Sequence, residues 1–162
     1  TVGIVKAYST CVGEGPFTAE WFGEEAEALR QAGAEYGAAT GRPRRVGPID
    51  LVATRYGVQI QGATEIALTK LDVLSYMKEI PVCVQYEIHG QKTDEFPFTA
   101  VVDEAKPVFT TMPGWGCDIS GVRKWEDLPV EARNYVEYIE KAIGCRISYV
   151  SVGASRDEYI QR

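Results

Sequence analysis

Lys70 and Asp72 stand two apart in "ALTKLDVL", residues 67–74, directly after a short apolar run. A guanine base presents two adjacent N–H donors on its Watson–Crick edge, at N1 and the 2-amino group. One fixed carboxylate can accept both, while a lysine stem lies along the ring. The pair could therefore read guanine. No G-x-x-x-x-G-K-[ST] phosphate loop occurs anywhere in the 162 residues to hold the phosphates that would follow. The plainer alternative is a surface lysine and an aspartate that caps the short helix after it.

Three further segments carry residue types suited to ligands. "GAATGRPRR" places Arg42, Arg44 and Arg45 beside Thr40 and Gly41. Forked guanidinium donors match the paired oxygens of carboxylates and phosphates, and Pro43 limits where the flanking arginines can point. Three arginines within four positions of an acidic chain suggest an anionic ligand, against the alternative of a solvated basic loop. In "VGEGPF", Gly13 and Gly15 permit close backbone approach to a ligand or simply a tight turn. In "SVGASR", Ser151 and Gly153 offer a hydroxyl and backbone amides to a base edge, or form a plain turn.

Other chemistries find little support. His89 is the only histidine, so neither a Ser-His-Asp nor a Cys-His arrangement can be assembled convincingly. Cys11, Cys83, Cys117 and Cys145 show no C-x-x-C spacing, which leaves reduced thiols and no zinc or other metal site as the expectation. A net charge of −6 argues against nucleic acid or anionic membrane as a partner. No apolar run approaches the roughly 20 residues of a membrane span. No signal peptide opens the chain, which starts in mid-strand without a methionine; the expectation is that a segment precedes Thr1.

The elements that must position these residues follow from periodicity. Strands are expected over Val2–Tyr8, Glu65–Thr69, Pro81–Ile88, Val108–Met112 and Arg146–Val152, and "HGQK" is expected to turn a hairpin into a strand from Thr93 to Val101. Helices are expected over Glu24–Tyr36, with Ala28, Leu29 and Ala32 as its apolar stripe, and from the cap Asp50 to about Gln59, packed through Leu51, Val52, Tyr56 and Ile60. The clearest helix spans Asp127–Gly144, with Leu128, Ala132, Tyr135, Val136, Ile139 and Ile143 on one face. The fold class this implies is α+β: a mixed sheet with flanking helices in a single unit, residues 1–162. Lys70 and Asp72 would then emerge at the C-terminal end of a strand, where ligand crevices of open α/β sheets lie.

Taken in order, "KAYSTCVGEGPF", "GAATGRPRRVGPIDLVATRYGVQIQG", "ALTKLDVL", "TMPGW" and "SVGASR" resemble the C-terminal part of the adenylosuccinate synthetase family, over essentially the whole chain. That family couples GTP hydrolysis to the joining of IMP and L-aspartate. GTP phosphorylates the purine O6 of IMP, and the aspartate amine displaces the phosphate, a far better leaving group than a bare oxide. The resemblance implies a C-terminal domain of a larger P-loop-like α/β ligase, cytoplasmic and homodimeric, with GTP as co-substrate and Mg2+ as cofactor. It implies that Ala39, Thr40, Gly41, Arg42 and Arg44 form the aspartate-binding loop, and that Val12, Gly13 and Arg42 contact IMP. It implies that Arg44, Lys70, Leu71, Asp72, Ser151, Val152 and Gly153 bind GTP.

Some positions depart from the family pattern. Ala39 stands where many members have threonine, Pro43 and Cys11 where arginine is frequent, and Ala154 where proline is usual. The family's aspartate general base, catalytic histidine, magnesium ligands and phosphate loop have no counterpart in this chain, so no catalytic residue is assigned here and the chain alone is expected to lack ligase activity. Two other classes stay open on the residues themselves: a stand-alone guanine-nucleotide or anion-binding module without catalysis, and a purely structural domain whose motifs are idle.

Overall fold

The computed structural model describes residues 1–162, apart from the side chain of Thr99. The first half of the chain contains β1 (Val2–Lys6), β2 (Ser9–Cys11), α1 (Gly23–Gly33), β3 (Arg45–Gly47), β4 (Ile49–Asp50), α2 (Leu51–Gln61) and β5 (Glu65–Thr69). The second half contains β6 (Glu79–Ile88), β7 (Gln91–Thr93), α3 (Thr99–Val102), β8 (Lys106–Pro113), α4 (Val130–Ile143), β9 (Ile147–Ser151) and β10 (Tyr159–Gln161). Short 3-10 helices occupy Leu71–Tyr76 and Trp125–Asp127.

Two mixed sheets organise these elements. In the first, β1, β5 and β9 run parallel with β5 in the middle, and β10 adds antiparallel to β9. In the second, β4 joins β6 in parallel, while β7 and β8 flank β6 antiparallel. β2 and β3 form a separate antiparallel ribbon. The mixed sheets with flanking helices agree with the expected fold class. Strand alternation explains the fully buried Ile66 and Leu68 of β5, whereas Ile147 and Val150 of β9, three apart, are both buried across a register shift opposite Ile66 and Ala67.

The helices show which sequence signals hold. Asp50 caps α2, its carboxylate accepting from the Ala53 N–H at 3.0 Å, and Tyr86 donates to its other oxygen at 2.5 Å. All six residues expected on the inner face of the last long helix are buried, although α4 starts at Val130 rather than Asp127 and Leu128 lies just before it; Gly144 ends the helix in the left-handed conformation.

Several boundaries move. α1 stops at Gly33 rather than Tyr36, because Ala34 turns left-handed (φ 50°) and returns its N–H to the Arg30 and Gln31 carbonyls. Its buried face is Ala26, Leu29 and Gly33, while Ala28 and Ala32 face solvent. Ile60 at the end of α2 is exposed, since β1 and β6 are reached by the opposite side of that helix. β1 ends at Lys6, short of Tyr8. The hairpin after β6 turns on His89 and Gly90, both with positive φ, but its return strand is only Gln91–Thr93; the long antiparallel partner of β6 is β8. Residues 94–98 carry two acids, a proline and no strand alternation, which stops the return strand early. The β2–β3 ribbon, β4 and β10 lie outside the periodicity signals because each is two or three residues long.

Candidate functional site

Parallel pairing of β5 with β1 and β9 brings three chain exits together. Lys6 pairs with Thr69, and Leu68 with Val150, so Tyr8, Lys70–Asp72 and Ser151–Gly153 all leave the same end of the sheet. Lys70 ends β5 in the left-handed region, φ 61°, a conformation sparsely populated outside glycine. From there its ammonium reaches the exit of α1, donating to the Gly33 carbonyl at 2.6 Å and to Glu35 Oε1 at 3.0 Å.

Glu35 is the centre of this end of the molecule. It is fully buried, and its Oε1 also accepts from Lys6 Nζ at 2.8 Å and from the Tyr8 hydroxyl at 2.5 Å. Its Oε2 accepts from Arg44 Nη1 at 2.7 Å. Burial by itself would raise the carboxyl pKa, but the hydrogen bonds from Lys6, Tyr8, Lys70 and Arg44 outweigh it and hold the group at about 2. Burial and the bond to Glu35 push the Tyr8 hydroxyl upward, so it remains a protonated donor. Gly33 makes room: a Cβ there would collide with the Tyr8 hydroxyl.

Asp72 does not cap the helix that follows. The capping position belongs to Lys70, whose side chain makes no capping bond, and Asp72 Oδ1 is buried without any hydrogen-bond partner. Desolvation raises its carboxyl pKa, opposed by the nearby Lys70 and reinforced by Glu158 and Asp118. A buried acceptor left unmatched costs free energy until a donor arrives, which makes this oxygen a natural seat for a ligand N–H. Leu71 and Val152 are fully buried core residues and expose no surface to a ligand here. The Ser151 hydroxyl donates to the Gly153 carbonyl at 2.8 Å, so it faces any base as an acceptor. Gly153 packs against the Glu158 carboxylate, which is held by the Ser155 N–H at 2.7 Å.

The arginine segment divides by role. Arg45 is structural: its fork grips the Glu20 carboxylate (Nε at 2.9 Å, Nη2 at 2.5 Å), and Nη1 donates to the Gly13 and Gly15 carbonyls at 3.1 and 2.8 Å. It therefore holds the "VGEGPF" turn in place and is not free for an anion, which corrects the expectation of three ligand-facing guanidiniums. That turn leaves Val12 exposed and Gly13 at φ 82°. Arg44 is tied through Nη1 to Glu35, while its Nε is buried with no partner. Arg42 is exposed, and its guanidinium has no ion pair among the described residues. The loop between is closed at its base by a bridge from Tyr36 to Pro43 and by the Gly37 N–H donating to the Arg42 carbonyl at 2.8 Å, which lifts Ala39, Thr40 and Gly41 into solvent.

Glu35 was the residue missing from the sequence-based site. The one signal for it was Gly33, a helix-ending residue that places the following acid outside α1. Nothing local marks that acid as the partner of residues 6, 44 and 70. His89 lies apart, 2.7 Å from Glu104 on the surface. Among the described residues no group of three or more His, Cys, Asp or Glu side chains could hold a metal ion. No helix among the described residues is long and apolar enough to cross a membrane.

The chain as a whole is similar to known proteins in sequence and fold. The family model for adenylosuccinate synthetase matches residues 1–160. The chain is 52% identical over 161 residues to the adenylosuccinate synthetase of Bifidobacterium adolescentis and 51% identical over 162 residues to that of Micrococcus luteus. Each match covers 99% of this chain and 38% of the relative. A solved structure of fully ligated adenylosuccinate synthetase from Plasmodium falciparum superposes with a TM-score of 0.94 at 37% identity, covering 99% of this chain and 39% of that one. The chain thus spans a little over a third of the length of the curated relatives it matches. It belongs to the adenylosuccinate synthetase family.

Proposed function

We propose that this chain supplies guanine recognition, the aspartate-binding loop and part of the IMP site of a GTP-dependent ligase that joins IMP to L-aspartate, yielding adenylosuccinate, GDP and phosphate in AMP biosynthesis. The observation that carries the reading is the buried, unpartnered Oδ1 of Asp72 beside the anchored ammonium of Lys70. Guanine N1–H and the 2-amino group supply the donors this carboxylate lacks. Adenine offers an acceptor at N1 and no 2-amino group, so it would leave the carboxylate stranded. The Lys70 stem covers the purine face, and the Ser151–Gly153 turn completes the pocket wall.

The arginine loop takes the anionic partners. Arg42, exposed and free of an internal ion pair, grips an aspartate carboxylate and lies against the IMP ribose, with Ala39, Thr40 and Gly41 supplying backbone and one hydroxyl. Arg44 has one nitrogen committed to Glu35 and a buried Nε awaiting an acceptor, which suits a nucleotide phosphate or aspartate oxygen. Val12 and Gly13, steadied by Arg45, contact the IMP ribose.

Among the described residues no group of acids, histidines or cysteines fits Mg2+, and by the family resemblance metal chemistry and the acid–base steps belong to the remaining length of the ligase. Residues 1–162 are accordingly read as the C-terminal domain of a longer chain, a reading supported by the 38% coverage of the relatives. Homodimeric assembly and a cytoplasmic setting follow from the family resemblance. The test is GDP titration of the full-length ligase against its Asp72→Asn variant. One amide oxygen cannot accept both guanine N–H bonds, so a loss of about 1–3 kcal/mol, several-fold to about a hundredfold in Kd, is expected. Unchanged affinity would remove the basis of the assignment.

A further inference from the structure

We propose that Glu35 is a positioning residue that sets the guanine-facing lysine and the ligand-facing arginine together, through the two oxygens of one buried carboxylate. The proposal rests on the ligase reading above. Lys70 and Lys6 share Oε1 with the Tyr8 hydroxyl, and Arg44 takes Oε2. The main chain of the same residue adds a second hold, since the Glu35 carbonyl accepts from the Arg44 N–H at 2.9 Å. Lys70 is likewise doubly tethered, its other bond going to Gly33, the last residue of α1. Both functional cations are therefore referenced to one point, the exit of α1.

Only a glutamate suits this position. Three cationic side chains converge on it, and without a carboxylate Lys6, Lys70 and Arg44 would repel one another and lose their orientation. A glutamine has a single acceptor oxygen, and its NH2 would confront a cation where Oε2 or Oε1 now stands. An aspartate keeps the charge but is one methylene short, so it cannot hold Arg44 and Lys70 at once. Glu35 has no exposed surface through which a ligand could contact it. Its effect must pass through the groups it holds, with Arg44 Nη1 occupied and Nε left for a ligand oxygen.

Steady-state kinetics of the full-length ligase separate this role from plain scaffolding. Glu35→Gln is expected to raise the KM for GTP about tenfold and that for aspartate severalfold, as loss of a charge-assisted contact does. The KM for IMP should move less than twofold, while the melting temperature falls because three cations lose their shared anion. In the triple variant Glu35→Gln/Lys70→Met/Arg44→Met, the GTP effect should equal that of Lys70→Met/Arg44→Met, because Glu35 acts on GTP only through these two cations. Glu35→Asp should reproduce the rise in at least one of the two KM values and serves if the glutamine variant does not fold. Equal rises in all three KM values, or a fall in kcat with every KM unchanged, overturn the proposal. Failure of the ligase reading itself has a different signature: the parent enzyme would show no turnover dependent on GTP, IMP and aspartate.

Discussion

Lys70 Nζ lies 3.0 Å from Glu35 Oε1, so the ammonium assigned to a purine face is anchored by an acid at the exit of a helix 35 positions earlier. The anchor is a buried anion, and its strength depends on that group staying ionised.

Acid titration reads this directly. The folded-state pKa of Glu35 is about 2, below its ordinary value of 4.5, so its stabilisation is fully present above about pH 4.5 and drains away as pH falls from there toward 2. Urea midpoints measured across that window should fall more steeply for the parent ligase than for Glu35→Gln. Parallel curves for the two proteins would show that the carboxylate contributes nothing to the acid limb.

Gly33→Ala tests the space around the same group. A Cβ at position 33 runs into the Tyr8 hydroxyl and crowds the Glu35 side chain, both buried. Overpacking of this kind costs about 1–3 kcal/mol, to be read from chemical denaturation. A variant as stable as the parent would show that Tyr8 can retreat without penalty.

A second buried acid pair predicts a pH-dependent defect. Tyr86 donates to Asp50 Oδ2, and burial already raises the Asp50 carboxyl pKa despite that bond. Tyr86→Phe strands the oxygen and should destabilise the protein by about 1–3 kcal/mol at neutral pH. Because removing the donor raises the folded pKa further, the deficit should shrink as the pH is lowered and Asp50 protonates. A deficit that stays constant from pH 7 to 4 argues against a charged Asp50.

Arg45→Lys should loosen the turn that carries Val12 and Gly13. Lysine cannot hold the Glu20 fork and the Gly13 and Gly15 carbonyls together. The expected outcome is a several-fold rise in the KM for IMP with GTP affinity unaffected; equal loss for both substrates would place Arg45 elsewhere in the mechanism.

The 162-residue chain alone should show no turnover with GTP, IMP and aspartate, since it spans about 38% of its relatives' length. Product formation by the purified chain would overturn that division of labour.

What the sequence determined by itself was local. The alternation of Glu65–Thr69, the cap at Asp50, the apolar face of α4 and the glycine stop at residue 144 each express a preference of neighbouring residues, and each is found in place. The segments proposed to bear ligands could be named for the same reason, because glycine, lysine and arginine declare their chemistry in short words. Which arginine serves a ligand and which serves the fold could not be read that way. Arg45 is spoken for by Glu20 and two carbonyls of a distant turn, Arg44 is half committed, and Arg42 stays free. Glu35 acquires its role only when parallel pairing of β1 with β5 sets Lys6 and Lys70 side by side at the exit of α1. Charges separated by 29 and 35 positions interact through space once water is excluded, and only the tertiary fold decides which of them meet.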